Sequence, residues 1–148
     1  MADREMTRYD VTRFREAQDR DGSYAAAVRE LSAGRKTSHW MWFVFPQLRG
    51  LGRTAMAQRY GIESAGEAAA YLADDVLGPR LRHCAHLVVA SKAATAETLM
   101  GSIDTMKLRS SMTLFAEVSE DDRDFVEVLD EYYGGERDGL TLELLERR

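Results

Sequence analysis

The stretch Val76-Leu-Gly-Pro-Arg-Leu-Arg-His-Cys-Ala-His-Leu-Val-Val-Ala90 carries the longest apolar pattern in the chain. Its apolar residues recur at spacings of three and four, the period of one helix face, and they are Leu77, Leu81, Cys84, Ala85 and Val88. Pro79 is compatible with a helix because it falls in the first turn, where the backbone N–H has no helical partner. The stretch therefore predicts a helix that is buried along one side.

The same period recurs on both sides of this stretch, and no segment alternates as a strand would. Residues that favour helix N-termini stand before most periodic segments; they are Asp10, Ser23, Ser38, Ser64, Thr95, Ser119 and Asp122. A chain of 148 residues fits one domain. We predict a single all-α domain over residues 1–148, an irregular bundle of about eight short helices, with residues 1–9 as a loose N-terminal tail.

Composition narrows the class of protein. Apolar residues make up 45% and charged residues 30% of the chain, and no apolar run reaches the roughly 20 residues that span a membrane. The charged N-terminus is not followed by a signal-peptide core, and one cysteine cannot form an intramolecular disulfide, so we expect a cytoplasmic protein. The net charge of -5 argues against a general nucleic-acid binder, and the oligomeric state stays open.

The run from Ser38 to Gln47 collects both tryptophans, two of the five phenylalanines and one of the two prolines. Its short helix must end before Pro46 and is apolar nearly all round, which predicts that it is buried or lines a ligand cavity. His39 is either a hydrogen-bonded packing residue or a base and donor in a site. The amide of Gln47 is the group that packing explains least.

Charge is distributed unevenly along the chain. Residues 31–62 contain no aspartate or glutamate but carry Arg35, Lys36, Arg49, Arg53 and Arg59, whereas residues 117–138 hold ten acidic side chains against two basic ones. The cationic segment is either an ordinary solvated face or the wall of a pocket for an anion.

A second constellation lies in residues 104–115, where Asp104, Lys107 and Ser111 follow one another at helical spacing. One interpretation is an ordinary ion pair on a helix surface. The other is a polar stripe that faces the aromatic run and converges on a pocket.

The sequence predicts no metal and no cofactor. His83, Cys84 and His86 lie on one predicted helix, but no second pair of ligands has the usual zinc spacing. The chain also lacks a phosphate-binding glycine loop, a nucleophile elbow and a dinucleotide fingerprint.

Several sequence blocks together resemble the bacterial family known as domain of unknown function 1810. They include Ser38-His-Trp-Met-Trp-Phe-Val-Phe-Pro-Gln47, Gly50-Leu-Gly52, Val76-Leu-Gly78 and Ser110-Ser-Met-Thr-Leu-Phe115. The family pattern has a His-Pro pair before Val76, where this chain has Asp74 and Asp75. Some members are labelled calpastatin, a disordered inhibitor, which this helical pattern does not fit. The helical layout is also loosely similar to a superfamily linked to NAD and ADP-ribose metabolism, which is an analogy of architecture.

Our leading hypothesis is a pocket that binds a small anionic nucleotide-type metabolite, such as an ADP-ribose-like molecule, and the residues leave hydrolysis open. The candidate catalytic residues are His39, Gln47 and Asp104, and the candidate ligand-binding residues are Lys36, Trp40, Trp42, Arg49, Arg53, Lys107, Ser110, Ser111 and Thr113. The alternative is a non-catalytic interaction module in which these motifs are structural and the acidic C-terminal helices meet a basic partner. A solvent-open cavity between the aromatic run and the polar stripe would favour the ligand hypothesis.

Overall fold

A computed structural model describes residues 9–147, so residues 1–8 of the predicted tail lie outside the described residues. Besides a 3₁₀ turn at Arg20–Gly22, the chain forms within that range seven α-helices of eight to seventeen residues and three shorter ones. They are α1 (Thr12–Asp19), α2 (Ser23–Ser32), α3 (Met41–Val44), α4 (Ala55–Arg59), α5 (Ala65–Ala73), α6 (Leu77–Ala90), α7 (Ala96–Met100), α8 (Ser102–Val118), α9 (Arg123–Tyr133) and α10 (Gly139–Glu146). The all-α prediction is confirmed, and the short helices make the elements more numerous than predicted.

The N-cap predictions have mixed outcomes. Ser64 and Thr95 cap α5 and α7, because each hydroxyl accepts a bond from the backbone N–H three residues later. Ser23 does not cap α2, since Gly22 holds that position with a left-handed φ of 68° and the Ser23 hydroxyl donates to the carbonyl of Arg20. Ser38 does not cap the aromatic helix either, because α3 begins at Met41. Pro46 does end that helix, which stops at Val44 as predicted.

Helices α5 and α9 each pack against both α6 and α8, the two longest helices, and α2 packs against α6, so the core lies among these five helices. A chain of fully buried rings runs through it. Phe14 meets Tyr71 edge-on at 5.1 Å between centroids, Tyr71 meets Phe115 at 5.3 Å, and Phe115 meets Phe125 at 5.9 Å. Because these rings come from α1, α5, α8 and α9, their burial holds distant parts of the chain together.

A buried hydrogen-bond network anchors α3. The amide nitrogen of Gln18 donates to the Phe43 carbonyl at 2.8 Å and to the Tyr71 hydroxyl at 3.0 Å. The Tyr71 hydroxyl in turn donates to the same Phe43 carbonyl at 3.1 Å. A network that satisfies its buried polar groups is rigid, so the four-residue helix is held against α1 and α5.

The segment after α3 is a loop, with one isolated parallel bridge between Leu48 and Ile62 within residues 9–147. Ile62 N–H donates to the carbonyl of Gln47, and Arg49 N–H donates to the carbonyl of Ile62, both at 2.8 Å. Tyr9, the last residue of the predicted tail, accepts a hydrogen bond from the Ser64 hydroxyl at 3.3 Å.

Across the described range, no helix has the length and apolarity that crossing a membrane demands.

The lone cysteine is buried in the stripe of α6. Burial raises the pKa of the Cys84 thiol to about 12, although a hydrogen bond from Tyr24 lowers it in part. His83 and His86 are exposed, and His86 contacts the carboxylate of Asp124. No group of three or more metal-ligating side chains occurs in residues 9–147.

Asp74 lies just before α6, and its side chain caps the first backbone N–H groups of that helix. One of its carboxylate oxygens accepts from the N–H of Val76 at 3.0 Å and of Leu77 at 2.9 Å. We expect Asp74→Ala to lower the free energy of unfolding by about 1 kcal/mol, as the loss of a helix cap does. Urea denaturation checks this, with exposed Asp75→Ala as the matched control. Equal effects of the two substitutions would contradict the capping role.

Candidate functional site

A hollow of about 510 Å³ separates the loop before α3 from the beginning of α8, and we call it the cleft. Residues 36–39, Met41 and Trp42 line one side, and residues 100–104 and Lys107 line the other. The loop reaches this place because the N–H of Lys36 donates to the carbonyl of Leu99 in α7 at 2.7 Å. The structure thus places part of the aromatic run and part of the polar stripe around one hollow that is open to solvent.

Two lysines and one aspartate form the charged group of the cleft, which we call the triad. The Lys36 ammonium lies 2.8 Å from Asp104 Oδ2, and the Lys107 ammonium lies 3.7 Å from Asp104 Oδ1. Lys36 also donates to the carbonyl of Ser38 at 2.6 Å. Its side chain is only 7% exposed and that of Asp104 is 16% exposed. The triad carries a formal charge of +1 in a chain whose net charge is -5.

Helix α8 begins in the wall of the cleft. Gly101, with φ 91° and ψ 160°, is its N-cap and offers no capping side chain. The first intrahelical bond runs from the N–H of Thr105 to the carbonyl of Gly101 at 3.1 Å. The N–H groups of a first helical turn carry partial positive charge, so this seventeen-residue helix adds to the potential of the two ammonium groups.

The two tryptophans have different surroundings. Trp40 is 1% exposed, and its indole N–H donates to Glu30 Oε1 at 3.0 Å. Trp42 is half-buried and lines the cleft, where the Lys107 ammonium lies 5.4 Å from its ring centroid. Its indole nitrogen is buried without a hydrogen-bond partner among the described residues. Trp42 is therefore the ring that a ligand in the cleft would meet.

His39 is exposed on the loop side of the cleft and makes no hydrogen bond or ion pair with residues 9–147. An imidazole in that position is free to donate to, or accept from, a bound molecule. Among the side chains that line the cleft, its imidazole is the group that could both accept and return a proton.

Glu30 is a residue that the sequence interpretation missed. It lies behind the loop, where Oε1 accepts from the N–H groups of Thr37 and Ser38 at 2.7 and 2.8 Å and Oε2 accepts from the Ser38 hydroxyl at 2.5 Å. The indole of Trp40 adds a fourth bond. Glu30 is a positioning residue that shapes the wall of the cleft. Glu30 lies eight positions before Ser38 in sequence, a separation that no helix or strand period relates. Only the folded structure shows that the two residues are in contact.

Three candidate ligand-binding residues with hydroxyl groups lie in the core, outside the cleft; they are Ser110, Ser111 and Thr113. Ser110 donates to the carbonyl of Met106 and to Asp138, and Thr113 donates to the carbonyl of Arg109 and accepts from the N–H of Asp138. The Ser111 hydroxyl is buried with no partner in the described part of the chain. Ser111 shares a helix face with Asp104 but lies two turns deeper, where the hollow has ended.

Three candidates from the loop after α3 also lie outside the cleft. Gln47 borders a separate small hollow of about 10 Å³, which is barely the size of one water. Arg49 lines a separate surface groove with Tyr9, and its guanidinium donates to the carbonyls of Gln58 and Gly61. Arg53 is exposed just before α4. The uniform positive charge of residues 31–62 therefore does not converge on one pocket.

Comparison with known proteins places the chain in a family. The model of the family described as "Protein of unknown function (DUF1810)" matches residues 8–145. The chain belongs to this family. The resemblance seen in the sequence is thereby confirmed over nearly the whole chain.

The fold has a counterpart in a crystal structure. That structure is the conserved hypothetical protein Rv1873 from Mycobacterium tuberculosis, solved at 1.38 Å. It is 51% identical to this DUF1810 chain, with a TM-score of 0.90 over 93% of this chain and 97% of that one. No curated protein matches the chain significantly.

Proposed function

We propose that the cleft binds a small anionic metabolite of nucleotide type. The observation that carries this proposal is the nearly buried side chain of Lys36, which lines a solvent-open hollow together with a second lysine, Lys107, on the same carboxylate. Asp104 and the carbonyl of Ser38 offset the cost of burying this ammonium, and Lys107 leaves a net positive charge beside them. An incoming anion would gain from two cations and from the beginning of α8 together.

The other walls of the cleft suit the uncharged part of such a ligand. Met41, Trp42, Met100 and Ile103 line it, and flexible thioether side chains adapt to planar groups. A hollow of about 510 Å³ falls within the usual range for one small-molecule ligand. The combination supports a ligand with an anionic end and an aromatic or apolar end.

The cleft also bears on the alternative of an interaction module. That alternative requires the two motifs to be structural, with no hollow between them. Instead, Trp42 and Lys107 border the same solvent-open hollow, which favours a ligand. Hydrolysis has less support than binding, because Asp104 is paired with two ammonium groups and Gln47 lies elsewhere, which leaves His39 as the candidate acid or base.

Ligand binding is tested by thermal shift and calorimetry with AMP, ADP-ribose, ribose 5-phosphate and inorganic phosphate. At one hundred times its dissociation constant, a ligand adds about 2.7 kcal/mol to the free energy of unfolding. We expect Lys107→Met to weaken binding at least tenfold, because a bond to a charged group contributes about 1.5–3 kcal/mol. Lys36→Met should weaken binding further, since its ammonium is the more buried.

The matched control is Lys92→Met. Lys92 is the one lysine of the sequence besides Lys36 and Lys107, and it is exposed outside the cleft. It should bind as the wild type does. Absence of any stabilisation by these four compounds would overturn the proposal. Equal weakening by Lys92→Met and Lys107→Met would show that overall charge, rather than the cleft, governs binding.

A further inference from the structure

Asp104 is an unexpected group in a site for anions. Its carboxylate lies among the groups that would hold the ligand's negative charge, and its own charge repels that ligand by Coulomb's law. Its Oδ2 offsets part of the cost of burying the Lys36 ammonium. The other oxygen, Oδ1, is the one whose surroundings bear on a second chemical group of the ligand.

The carboxylate of Asp104 has unused acceptor capacity. A carboxylate offers about four lone-pair sites, and Lys36 occupies one of them at 2.8 Å from Oδ2. Lys107, at 3.7 Å from Oδ1, is beyond normal hydrogen-bond distance. No other donor among residues 9–147 reaches this carboxylate, which borders the cleft and is 16% exposed. Oδ1 is thus available to a donor on the ligand.

The donor is more favourably a hydroxyl than a cation. An amino group on the ligand would bring a third positive charge to a carboxylate that two ammonium groups already contact. A hydroxyl donates without adding charge and forms a strong bond with an ionised acceptor. The ligand that satisfies both parts of the triad carries hydroxyl groups close to an anionic group.

We infer that the ligand of the cleft is a phosphorylated sugar, free or within a nucleotide, and that Asp104 accepts hydrogen bonds from its hydroxyl groups. This inference rests on the proposed function. The phosphate interacts with Lys107 and the beginning of α8, while any attached base contacts Trp42. Asp104 thereby makes the site selective for hydroxylated anions over simple ones.

Paired ligands test this inference in the full-length protein. AMP is compared with 2′,3′-dideoxy-AMP, which keeps the phosphate and the base but lacks both ribose hydroxyls, and ribose 5-phosphate serves as the base-free arm. We expect the wild type to prefer AMP by at least tenfold, the worth of one charged hydrogen bond. In Asp104→Asn the preference should fall severalfold, while the affinity for dideoxy-AMP rises because a negative charge is gone.

Asp75→Asn, an exposed aspartate outside the cleft, is the control and should keep the wild-type preference. If ribose 5-phosphate binds with the same affinity as AMP, a free sugar phosphate is a sufficient ligand. If AMP binds much more tightly than ribose 5-phosphate, the ligand is a nucleotide. Equal affinity for AMP and dideoxy-AMP in the wild type would overturn the role of Asp104 but leave anion binding intact. Failure of all anions to bind would overturn both proposals. If a folded Asp104→Asn protein keeps the full preference for AMP over dideoxy-AMP, a residue other than Asp104 recognises the hydroxyl groups, which would overturn the inference.

Discussion

Replacing Gly78 by alanine is expected to lower the free energy of unfolding by about 3 kcal/mol, although alanine is the better helix former. Gly78 is the second residue of α6, and a Cβ at this position would lie 2.1 Å from the carbonyl oxygen of Leu72 in α5. That oxygen belongs to the backbone, so the close approach of α5 and α6 would have to change. Urea denaturation and thermal melting measure the loss.

Gly139 provides the matched control. It is the first residue of α10, and a Cβ there would meet no atom within 4 Å. Gly139→Ala should therefore leave stability unchanged or raise it by about 0.4–1 kcal/mol through the unfolded chain. The same substitution is then destabilising at one helix N-terminus and neutral or stabilising at the other. If Gly78→Ala is as stable as Gly139→Ala, α5 and α6 can move apart at little cost, and the close contact at Gly78 does not limit stability.

Glu30→Gln is expected to lower the free energy of unfolding by about 2 kcal/mol at pH 7. Partial burial alone would raise the pKa of Glu30, but hydrogen bonds from Ser38, Thr37 and Trp40 outweigh it and lower the pKa from 4.5 to about 2. A shift of that size corresponds to about 3 kcal/mol, which partial exposure to solvent reduces. Glutamine keeps one acceptor oxygen but loses the charge and the bond from the Ser38 hydroxyl.

The sign of the pH dependence follows from this lowered pKa. The contribution of Glu30 is fully present above its unfolded pKa of 4.5 and is lost as the pH falls towards 2. The stability difference between wild type and Glu30→Gln should therefore shrink over the same interval. Exposed Glu127→Gln serves as the control and should show little difference at either end. A difference that stays constant from pH 7 to pH 2.5 would disprove the charged role of Glu30.

Local chemistry explains which parts of the fold were predictable. The stripe of Val76–Ala90 predicted α6, which runs from Leu77 to Ala90. Ser64 and Thr95 marked helix beginnings because a cap is a contact over three residues. Ser38 does not cap α3, because the helix begins only at Met41 and the Ser38 hydroxyl donates to Glu30, a partner that only the packing of α2 brings near.

Sequence spacing predicted only part of the candidate site. Helical spacing related Asp104 to Lys107, and those two residues do share the cleft. Spacing gives the face of a helix but not how far along that face a hollow extends, so it could not separate Lys107 from Ser111. The clustering of basic residues in the sequence also could not show that Arg49 lines a different groove. The position of Arg49 depends on the bridge between Leu48 and Ile62, which brings distant residues together.

The inert thiol of α6 gives this chain a practical property. Since Cys84 is buried and its pKa is raised to about 12, it stays protonated and shielded from thiol reagents near neutral pH. A cysteine introduced at Ile103, which is 75% exposed at the rim of the cleft, would be labelled alone without removing the native one. A fluorophore attached there would report directly on occupancy as a titration proceeds.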